Sequence, residues 1–206
     1  ILGSSGYIGS KLYNHLVSKK YQVNGLDINW YGESSHSLYK DIYDLTIDDI
    51  KDFSHIVLLA GHSSVGMSEN NMISVLNNNV VNFCKLLDLI SDEQKLIYAS
   101  SSSVYGDTKN SVVNEEYVSF LPNNHYDLSK YEIDAYAKLS GKQYYALRFG
   151  TVNGSSPNLR TDNISINNFL KRFREYDYCI LYAAEIPFSN LMSRILKVEH
   201  SNIKEE

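Results

Sequence analysis

The chain has 206 residues, of which 43% are hydrophobic and 21% charged, and its formal net charge is −5 at pH 7. This length is enough for one well-buried core, with room for a small appendage. An acidic chain without a basic stripe does not offer the surface that binds DNA or RNA, and no apolar stretch approaches the ~20 residues of a membrane-spanning helix. We therefore expect a soluble protein that binds neither nucleic acid nor a membrane.

The two cysteines, Cys84 and Cys179, are far apart and lack any spacing typical of metal ligands. Cys84 falls in an apolar helical pattern, where a reduced and packed thiol is expected. This use of cysteine favours a reducing compartment. We predict a cytoplasmic protein without a metal site.

The segment GSSGYIG, residues 3–9, carries glycines at steps of three. Glycine permits positive φ and close backbone approach, so such a run can leave a strand, turn tightly and open a helix whose free amides face a phosphate. An ordinary glycine turn is the alternative. Only Ile1 and Leu2 precede the turn, fewer than the five or six residues of an average strand, so we expect this strand to begin upstream.

A βαβ unit is predicted around this turn. Ile8, Leu12 and Leu16 recur at four-residue steps, as on a helix that packs one face on a sheet. A short strand over 21–27 then ends at Asp27, whose carboxylate could accept hydrogen bonds from both adenosine ribose hydroxyls of a dinucleotide or could cap a turn. No arginine follows within the next eight residues, which favours NAD over NADP.

Strands and helices alternate along the rest of the first 150 residues. An apolar run typical of a buried parallel strand occupies 55–61, and further strands are predicted at 95–100 and 143–149. An amphipathic helix is predicted at 75–90 and a further helix at 128–140. This alternation predicts an α/β fold, a Rossmann-type doubly wound parallel sheet. Its ligand site is expected at the carboxyl ends of the strands.

The most specific local pattern is YDLSK, residues 126–130. Tyr126 and Lys130 are four residues apart and therefore share one face of a helix. A nearby ammonium stabilises the phenolate and lowers the pKa of tyrosine from about 10, so the pair could transfer protons near neutral pH. The serines of SSSSVYG, residues 100–106, stand at the end of a predicted strand and could hold a substrate oxygen.

In order along the chain, these segments resemble the extended short-chain dehydrogenase/reductase family, in particular its NAD-dependent nucleotide-sugar epimerases and dehydratases. The resemblance spans residues 1 to about 162 and is carried by GSSGYIG, Asp27, LLAGHSSV, NNNV, YASSSSVYG, YDLSK and LRFGTVNG. It implies that Tyr126 is the catalytic acid and base, that Lys130 assists it, and that Ser101 is the third catalytic residue.

The resemblance also implies which residues contact NAD and substrate. The implied NAD contacts are Gly3, Gly6, Tyr7, Ile8, Gly9, Asp27, Ile28, Asn29, Asp41, Ile42, Leu59, Ala60, Gly61, His62, Asn78, Tyr126 and Lys130. The implied substrate contacts are Ser102, Ser103, Thr151, Asn153 and Arg160. For His62 we expect a contribution of the backbone rather than of the ring.

The implied chemistry is hydride transfer, in which Tyr126 removes the proton of a sugar 4-hydroxyl while the C4 hydride moves to NAD⁺. In the dehydratases of this family two acidic residues follow the catalytic hydroxyl residue. Ser102 and Ser103 stand there in this chain and can neither protonate a leaving group nor remove a C5 proton. We therefore favour a nucleotide-sugar 4-epimerase, with a 4-keto-sugar reductase or a dehydratase as the alternative.

The resemblance fades towards the carboxyl terminus. We assign 1–150 to the NAD-binding domain and 151–206 to a small, apparently truncated substrate-binding region, because the family pattern stops after Tyr176. A protein that binds NAD without turnover, or one that acts on a substrate without a nucleotide, therefore stays an alternative.

The family commonly forms homodimers through the helices that here carry Asn78 and Lys130, and we expect a homodimer. Phe83, Leu86 and Leu87 could form such an interface or pack on the sheet.

Overall fold

A computed structural model describes residues 1–154, apart from residues 31, 33, 110, 119 and 120. Arg160 and residues 155–206 of the predicted substrate-binding region lie outside the described residues. The division into 1–150 and 151–206 stays a prediction.

The described chain contains five short strands, with helices between all of them except β1 and β2. The strands are β1 (Gly25–Asp27), β2 (Ser37–Tyr39), β3 (His55–Leu58), β4 (Lys95–Ser101) and β5 (Gln143–Phe149). The helices are α1 (Tyr7–Ser18), α2 (Ile47–Ile50), α3 (Val65–Ser68), α4 (Met72–Val75), α5 (Asn82–Leu89) and α6 (His125–Leu139). A π-helical turn, Leu76–Val81, joins α4 to α5, and 3₁₀ turns occupy Ile42–Asp44 and Ser102–Tyr105.

All pairings between these strands are parallel. β1 pairs with β2, and β3, β4 and β5 pair in that order. Leu2 bridges the two groups, because it pairs in parallel with both Leu26 and Leu58. The resulting order is β2, β1, Leu2, β3, β4, β5, which confirms the predicted doubly wound parallel sheet. The order reverses at Leu2, so the glycine turn that follows it stands where such sheets bind ligands.

The core lies where α5 and α6 pack with β4. Phe83, Leu86 and Leu87 of α5 are buried in one cluster with Leu96 and Tyr98 of β4. The rings of Phe83 and Tyr98 meet edge to face with their centroids 4.9 Å apart. These α5 side chains therefore pack within the chain, which decides between the two locations that the sequence left open.

Some element boundaries differ from the predicted ones. β3 ends at Leu58 instead of residue 61, because the chain turns away at Gly61, where φ is +137°. α6 begins at His125, three residues earlier than predicted, because the Asn124 side chain accepts a hydrogen bond from Asp127 N and caps the helix.

Two arrangements are missing from the part of the chain that the structure describes. None of its helices is long and apolar enough to cross a membrane. No group of three or more His, Cys, Asp or Glu residues is arranged there to hold a metal ion.

Candidate active site

The glycine turn brings the start of α1 against the first strand residues. Gly3 has φ of +91°, and a Cβ atom there would lie 2.5 Å from Ala60 N. A Cβ atom on Gly9 would lie 1.9 Å from Gly3 O. Both positions therefore require glycine for packing within the protein itself.

At Gly6, neither the backbone conformation nor the packing requires glycine. Gly6 is the N-cap of the 12-residue helix α1, with φ −70° and ψ 174°, which any residue can adopt. A Cβ atom there would meet only Gly3 O, at an ordinary 3.4 Å. Because the N-cap Gly6 makes no side-chain cap hydrogen bond and the first turn of α1 holds no acidic residue, the helix terminus is suited to an anion such as a pyrophosphate. Tyr7 and Ile8, both half-buried, begin this first turn.

Asp27 ties the glycine turn to the loop after β1. Its Oδ2 accepts a hydrogen bond from Ser5 N at 2.9 Å, and its Oδ1 accepts one from Asn29 N at 2.7 Å. Asn29 Oδ1 in turn accepts from Ser5 Oγ at 2.8 Å. Asp27 thus caps a turn, and each carboxylate oxygen keeps further lone pairs for a ligand. Ile28, between these two residues, is half-buried.

The loop after β3 runs past the glycine turn. Leu59 N and Ala60 N both donate to Leu2 O, at 2.8 and 3.0 Å. Ala60, Ile42, Asn78 and Lys130 line one small cavity, so the structure brings together four of the residues that the sequence implied. Asn78 Oδ1 is buried and has no hydrogen-bond partner among the described residues. A buried acceptor of this kind fits a donor group of a bound ligand.

Asp41, predicted beside Ile42, has a structural contact of its own. It is half-buried, and its Oδ1 accepts a hydrogen bond from Tyr43 N at 2.8 Å, which caps the 3₁₀ turn.

His62 is buried at the end of this loop. Its Nε2 lies 2.9 Å from Ser74 Oγ, and its Nδ1 has no partner among the described residues. Burial lowers the pKa of the imidazole, so the ring is neutral at neutral pH. The Trp30 ring packs against it with a centroid distance of 5.7 Å.

Tyr126 and Lys130 lie on α6, in its first and second turns. Lys130 Nζ donates a hydrogen bond to Ala99 O at 2.8 Å and lies 5.7 Å from the centroid of the Tyr126 ring. Burial lowers the pKa of Lys130 to about 8, and the nearby carboxylate of Asp134 opposes this shift. The ammonium is therefore the main form at pH 7 and is held beside the phenol.

Ser101 ends β4, two residues after the carbonyl that holds Lys130. Its Oγ is buried and accepts hydrogen bonds from Ser103 N at 3.2 Å and from Ser103 Oγ at 2.8 Å. Ser102 is exposed and Ser103 is half-buried. The end of β4 thus presents hydroxyl groups and no carboxylate.

The segment after β5 returns towards the glycine turn. Thr151 and Asn153 are exposed on this segment. Tyr7 Oη donates a hydrogen bond to Gly154 O at 2.7 Å, which fixes the segment beside the start of α1.

Several polar residues around the site were not predicted. Asp134, one turn after Lys130, accepts hydrogen bonds from Tyr98 Oη at 2.9 Å and from Arg148 Nε at 3.2 Å. Asn79 and Ser129 are buried and bonded to each other at 3.0 Å. The only sequence feature that pointed to Asn79 is its position next to Asn78 in the NNN run. The only one that pointed to Asp134 is its four-residue spacing from Lys130.

Similar proteins were found both by sequence and by structure. A putative UDP-glucose 4-epimerase of Methanocaldococcus jannaschii is 26% identical over 230 aligned positions, which cover 98% of this chain and 75% of the relative. A UDP-glucose 4-epimerase of Mycoplasma genitalium is 31% identical over 178 positions, which cover 75% of this chain and 52% of the relative. The solved structure of MoeE5 in complex with UDP-glucose and NAD aligns with a TM-score of 0.73 at 27% identity, over 85% of this chain and 60% of that one.

The chain spans from 52% to 75% of the length of these similar proteins. The sequence model of one protein family matches residues 1–191, and the parallel sheet with its glycine turn agrees with that match. The chain belongs to the NAD dependent epimerase/dehydratase family.

Proposed function

We propose that the protein binds NAD and interconverts nucleotide sugars as a 4-epimerase, with Tyr126 as acid and base and with Lys130 and Ser101 as its partners. The observation that carries this proposal is the position of Lys130, which is anchored on Ala99 O at the carboxyl end of β4 and lies beside Tyr126. The similarity to two UDP-glucose 4-epimerases supports the reaction type.

The chain's own groups fit NAD at several places. Gly6, Tyr7 and Ile8 would hold the pyrophosphate at the N-terminus of α1, and the remaining lone pairs of Asp27 would accept from ribose hydroxyls. Asn78 Oδ1, buried without a partner among the described residues, would accept from the nicotinamide end. The further proposed contacts are Gly3, Gly9, Ile28, Asn29, Asp41, Ile42, Leu59, Ala60, Gly61, His62 and Lys130. Bound NAD would take up a hydride from the sugar and return it.

The proton chemistry belongs to the α6 pair. The Lys130 ammonium stabilises the phenolate of Tyr126, which can then remove the proton of a sugar hydroxyl and give it back. Ser101, whose Oγ is fixed by Ser103, would hydrogen-bond the same sugar oxygen and orient it.

The residues after Ser101 favour epimerisation over dehydration. Loss of water needs a proton donor for the leaving hydroxyl, and Ser102 and Ser103 are neutral at every accessible pH. We propose that they contact the sugar instead, together with Thr151, Asn153 and, outside the described residues, Arg160.

We also propose a cytoplasmic homodimer. The helical segments that carry Asn78 and Lys130 expose four apolar side chains, Leu76, Leu128, Tyr136 and Leu139. Sedimentation equilibrium would measure whether two chains associate.

Cys84 is a free cysteine, and burial raises the pKa of its thiol, with Asp88 and Glu132 adding to the shift. A cysteine without a disulfide fits a reducing compartment.

Two measurements test the proposed function. Trp30 is the only tryptophan of the chain, and its contact with His62 makes its fluorescence a direct reporter for titration with NAD. Interconversion of UDP-glucose and UDP-galactose is then followed by NMR in the wild type and in Tyr126→Phe. We expect NAD binding in both proteins and a loss of turnover of about a hundredfold or more in the variant.

The other outcomes separate the alternatives. Net oxidation of added NADH by a 4-keto sugar would identify a reductase. Tight NAD binding without turnover of any UDP-, GDP- or dTDP-sugar would reject the enzyme and leave an NAD-binding protein.

A further inference from the structure

Asn79 is buried in the π-helical turn, and its side-chain amide is fully hydrogen-bonded to two residues, His62 and Ser129. Its Oδ1 accepts a hydrogen bond from His62 N at 2.8 Å, and its Nδ2 donates to His62 O at 3.0 Å. The second Nδ2 hydrogen is directed to Ser129 Oγ at 3.0 Å. The side chain therefore pairs with the backbone of the loop after β3 as a neighbouring strand would.

Ser129 continues the connection into α6. Its hydroxyl is buried, accepts from Asn79 and donates to Tyr126 O at 2.8 Å. A hydrogen-bonded path thus runs from the His62 backbone through Asn79 and Ser129 to the main chain of Tyr126. The path joins parts of the chain that are more than 60 residues apart in sequence, at His62 and Tyr126.

The packing around Asn79 shows that the loop is shaped for this contact. A Cβ atom on Gly61 would lie 2.7 Å from Asn79 Oδ1, and Gly61 has φ of +137°. Any other residue at position 61 would push the amide away from His62. π-helical turns such as the one that carries Asn79 recur at functional sites.

We propose that Asn79 and Ser129 are positioning residues, which hold the helical turn of Tyr126 in register with the loop of His62. This inference rests on the proposed function. In the proposed function the loop of His62 contacts NAD and Tyr126 transfers the proton, so the path would fix the distance between the hydride-transfer and proton-transfer groups. A shift of the reacting groups by about 1 Å is enough to slow a reaction by two orders of magnitude.

The role needs a carboxamide at position 79 and a hydroxyl at position 129. Asn supplies one acceptor and two donors, all of which are used. Asp offers no donor in its ionised form, and Leu offers no polar atom. Ser129→Ala is the milder change, because it leaves both bonds between Asn79 and His62 in place.

The test compares Ser129→Ala, Asn79→Ala, the double variant and Ser140→Ala in the full chain. Ser140 is the matched control, because its hydroxyl also donates to a carbonyl three residues earlier on α6, Ala137 O at 2.7 Å, but at the opposite end of the helix. The readouts are kcat and KM for UDP-glucose, NAD affinity from Trp30 fluorescence, and hydrogen exchange of the His62 amide by NMR. Exchange needs no turnover, so it tests the path even if the proposed reaction fails.

We expect Ser129→Ala to lower kcat about tenfold with KM and NAD affinity unchanged within about twofold, and to speed exchange of the His62 amide. Asn79→Ala should speed that exchange more and weaken NAD binding as well. Because both residues act through one path, kcat of the double variant should equal that of Asn79→Ala.

Three results would overturn the inference. They are unchanged His62 exchange in Ser129→Ala, equal effects of Ser129→Ala and Ser140→Ala, and kcat losses that multiply in the double variant. A wild type that binds NAD without turnover would instead reject the proposed function, and the exchange data would still decide the path.

Discussion

Glycines 3, 6 and 9 have the same spacing but different reasons to be glycine. At Gly3 and Gly9 an added methyl group would strike backbone atoms of the protein. At Gly6 it would meet only Gly3 O, at 3.4 Å, an ordinary contact distance. Packing within the fold therefore does not require glycine at position 6, so under the proposed function a substitution there separates NAD binding from stability.

We predict that Gly6→Ala weakens NAD binding at least about tenfold, or about 1.4 kcal/mol, because the methyl group occupies the approach of the pyrophosphate. The free energy of unfolding should change by less than about 1 kcal/mol, as expected for Gly and Ala at an N-cap. Trp30 fluorescence titration and urea denaturation measure the two quantities.

Gly9→Ala is the contrasting variant. Its Cβ would lie 1.9 Å from Gly3 O, so we expect a loss of at least about 3 kcal/mol in the free energy of unfolding. NAD affinity of Gly6→Ala equal to that of the wild type would contradict the phosphate position.

The charge of Lys130 sets a pH limit for the site. Burial lowers its pKa to about 8 while Asp134 opposes the shift, so the ammonium is lost as the pH rises through about 8. Without it the phenol of Tyr126 is harder to ionise, and kcat/KM should fall on the alkaline side. In Asp134→Asn the opposing charge is gone, so the pKa of Lys130 drops further. The alkaline limb of the pH profile, where kcat/KM falls, should then move to lower pH.

Tyr98→Phe is the control for this shift. It removes the 2.9 Å hydrogen bond from Tyr98 to Asp134 but keeps the carboxylate and its contact with Arg148. We expect its alkaline limb to coincide with that of the wild type. If Asp134→Asn leaves the limb in place, the carboxylate does not act on Lys130.

At the scale of the element, the start of α6 matters most because Tyr126 lies in its first turn. Asn124 caps this turn, with Oδ1 accepting from Asp127 N at 2.9 Å and Nδ2 donating to Asp127 Oδ2 at 2.7 Å. Asn124→Ala should cost about 1 kcal/mol of unfolding free energy and lower kcat, because the first turn frays and Tyr126 with it.

Asn114→Ala provides the comparison for Asn124→Ala. Asn114 also accepts a backbone hydrogen bond, from Glu116 N at 3.2 Å, but it lies exposed in a loop. This variant should keep both stability and kcat. Equal losses of kcat in the two variants would show that the helix start does not control the reaction.

Elements with a strong hydrophobic pattern could be located from the sequence, whereas those without one could not. The apolar run of β4 could be located from sequence because burial enforces it. β5 was located by its apolar and aromatic residues although the strand is only partly buried, with Tyr145 and Leu147 exposed. β2 could not, since its Leu38 and Tyr39 are exposed on a short edge strand and leave no apolar run. The start of α6 was missed because a side-chain cap, rather than a hydrophobic period, determines it.

Contacts within the site could likewise be predicted only between residues that are close in the sequence. Tyr126 and Lys130 are neighbours on one helix, so their spacing was enough to predict them. Asn79 meets His62 and Ser129 only through the tertiary fold, and no period in the sequence connects positions 62, 79 and 129. Local chemistry can thus be predicted from this chain, whereas the contacts that hold it in register require the structure.

At the scale of the molecule, the candidate site is shared between two groups of strands. Asp27 belongs to β1, on one side of the bridge at Leu2, while Asn78 and Lys130 belong to segments packed with β3 and β4 on the other. A ligand that contacts both groups links them beyond the few backbone bonds of Leu2. Binding should therefore stabilise the described fold as one unit.

We predict that NAD at a hundred times its dissociation constant raises the free energy of unfolding by about 2.7 kcal/mol. Urea transitions followed by Trp30 fluorescence, near β1, and by far-UV circular dichroism should shift together, because the ligand holds both sides of the bridge. Gly6→Ala at the same NAD concentration should gain about half as much, roughly 1.4 kcal/mol, if its affinity is tenfold lower. A shift seen by fluorescence alone would mean that NAD contacts only the β1 side, and the shared site would then be wrong.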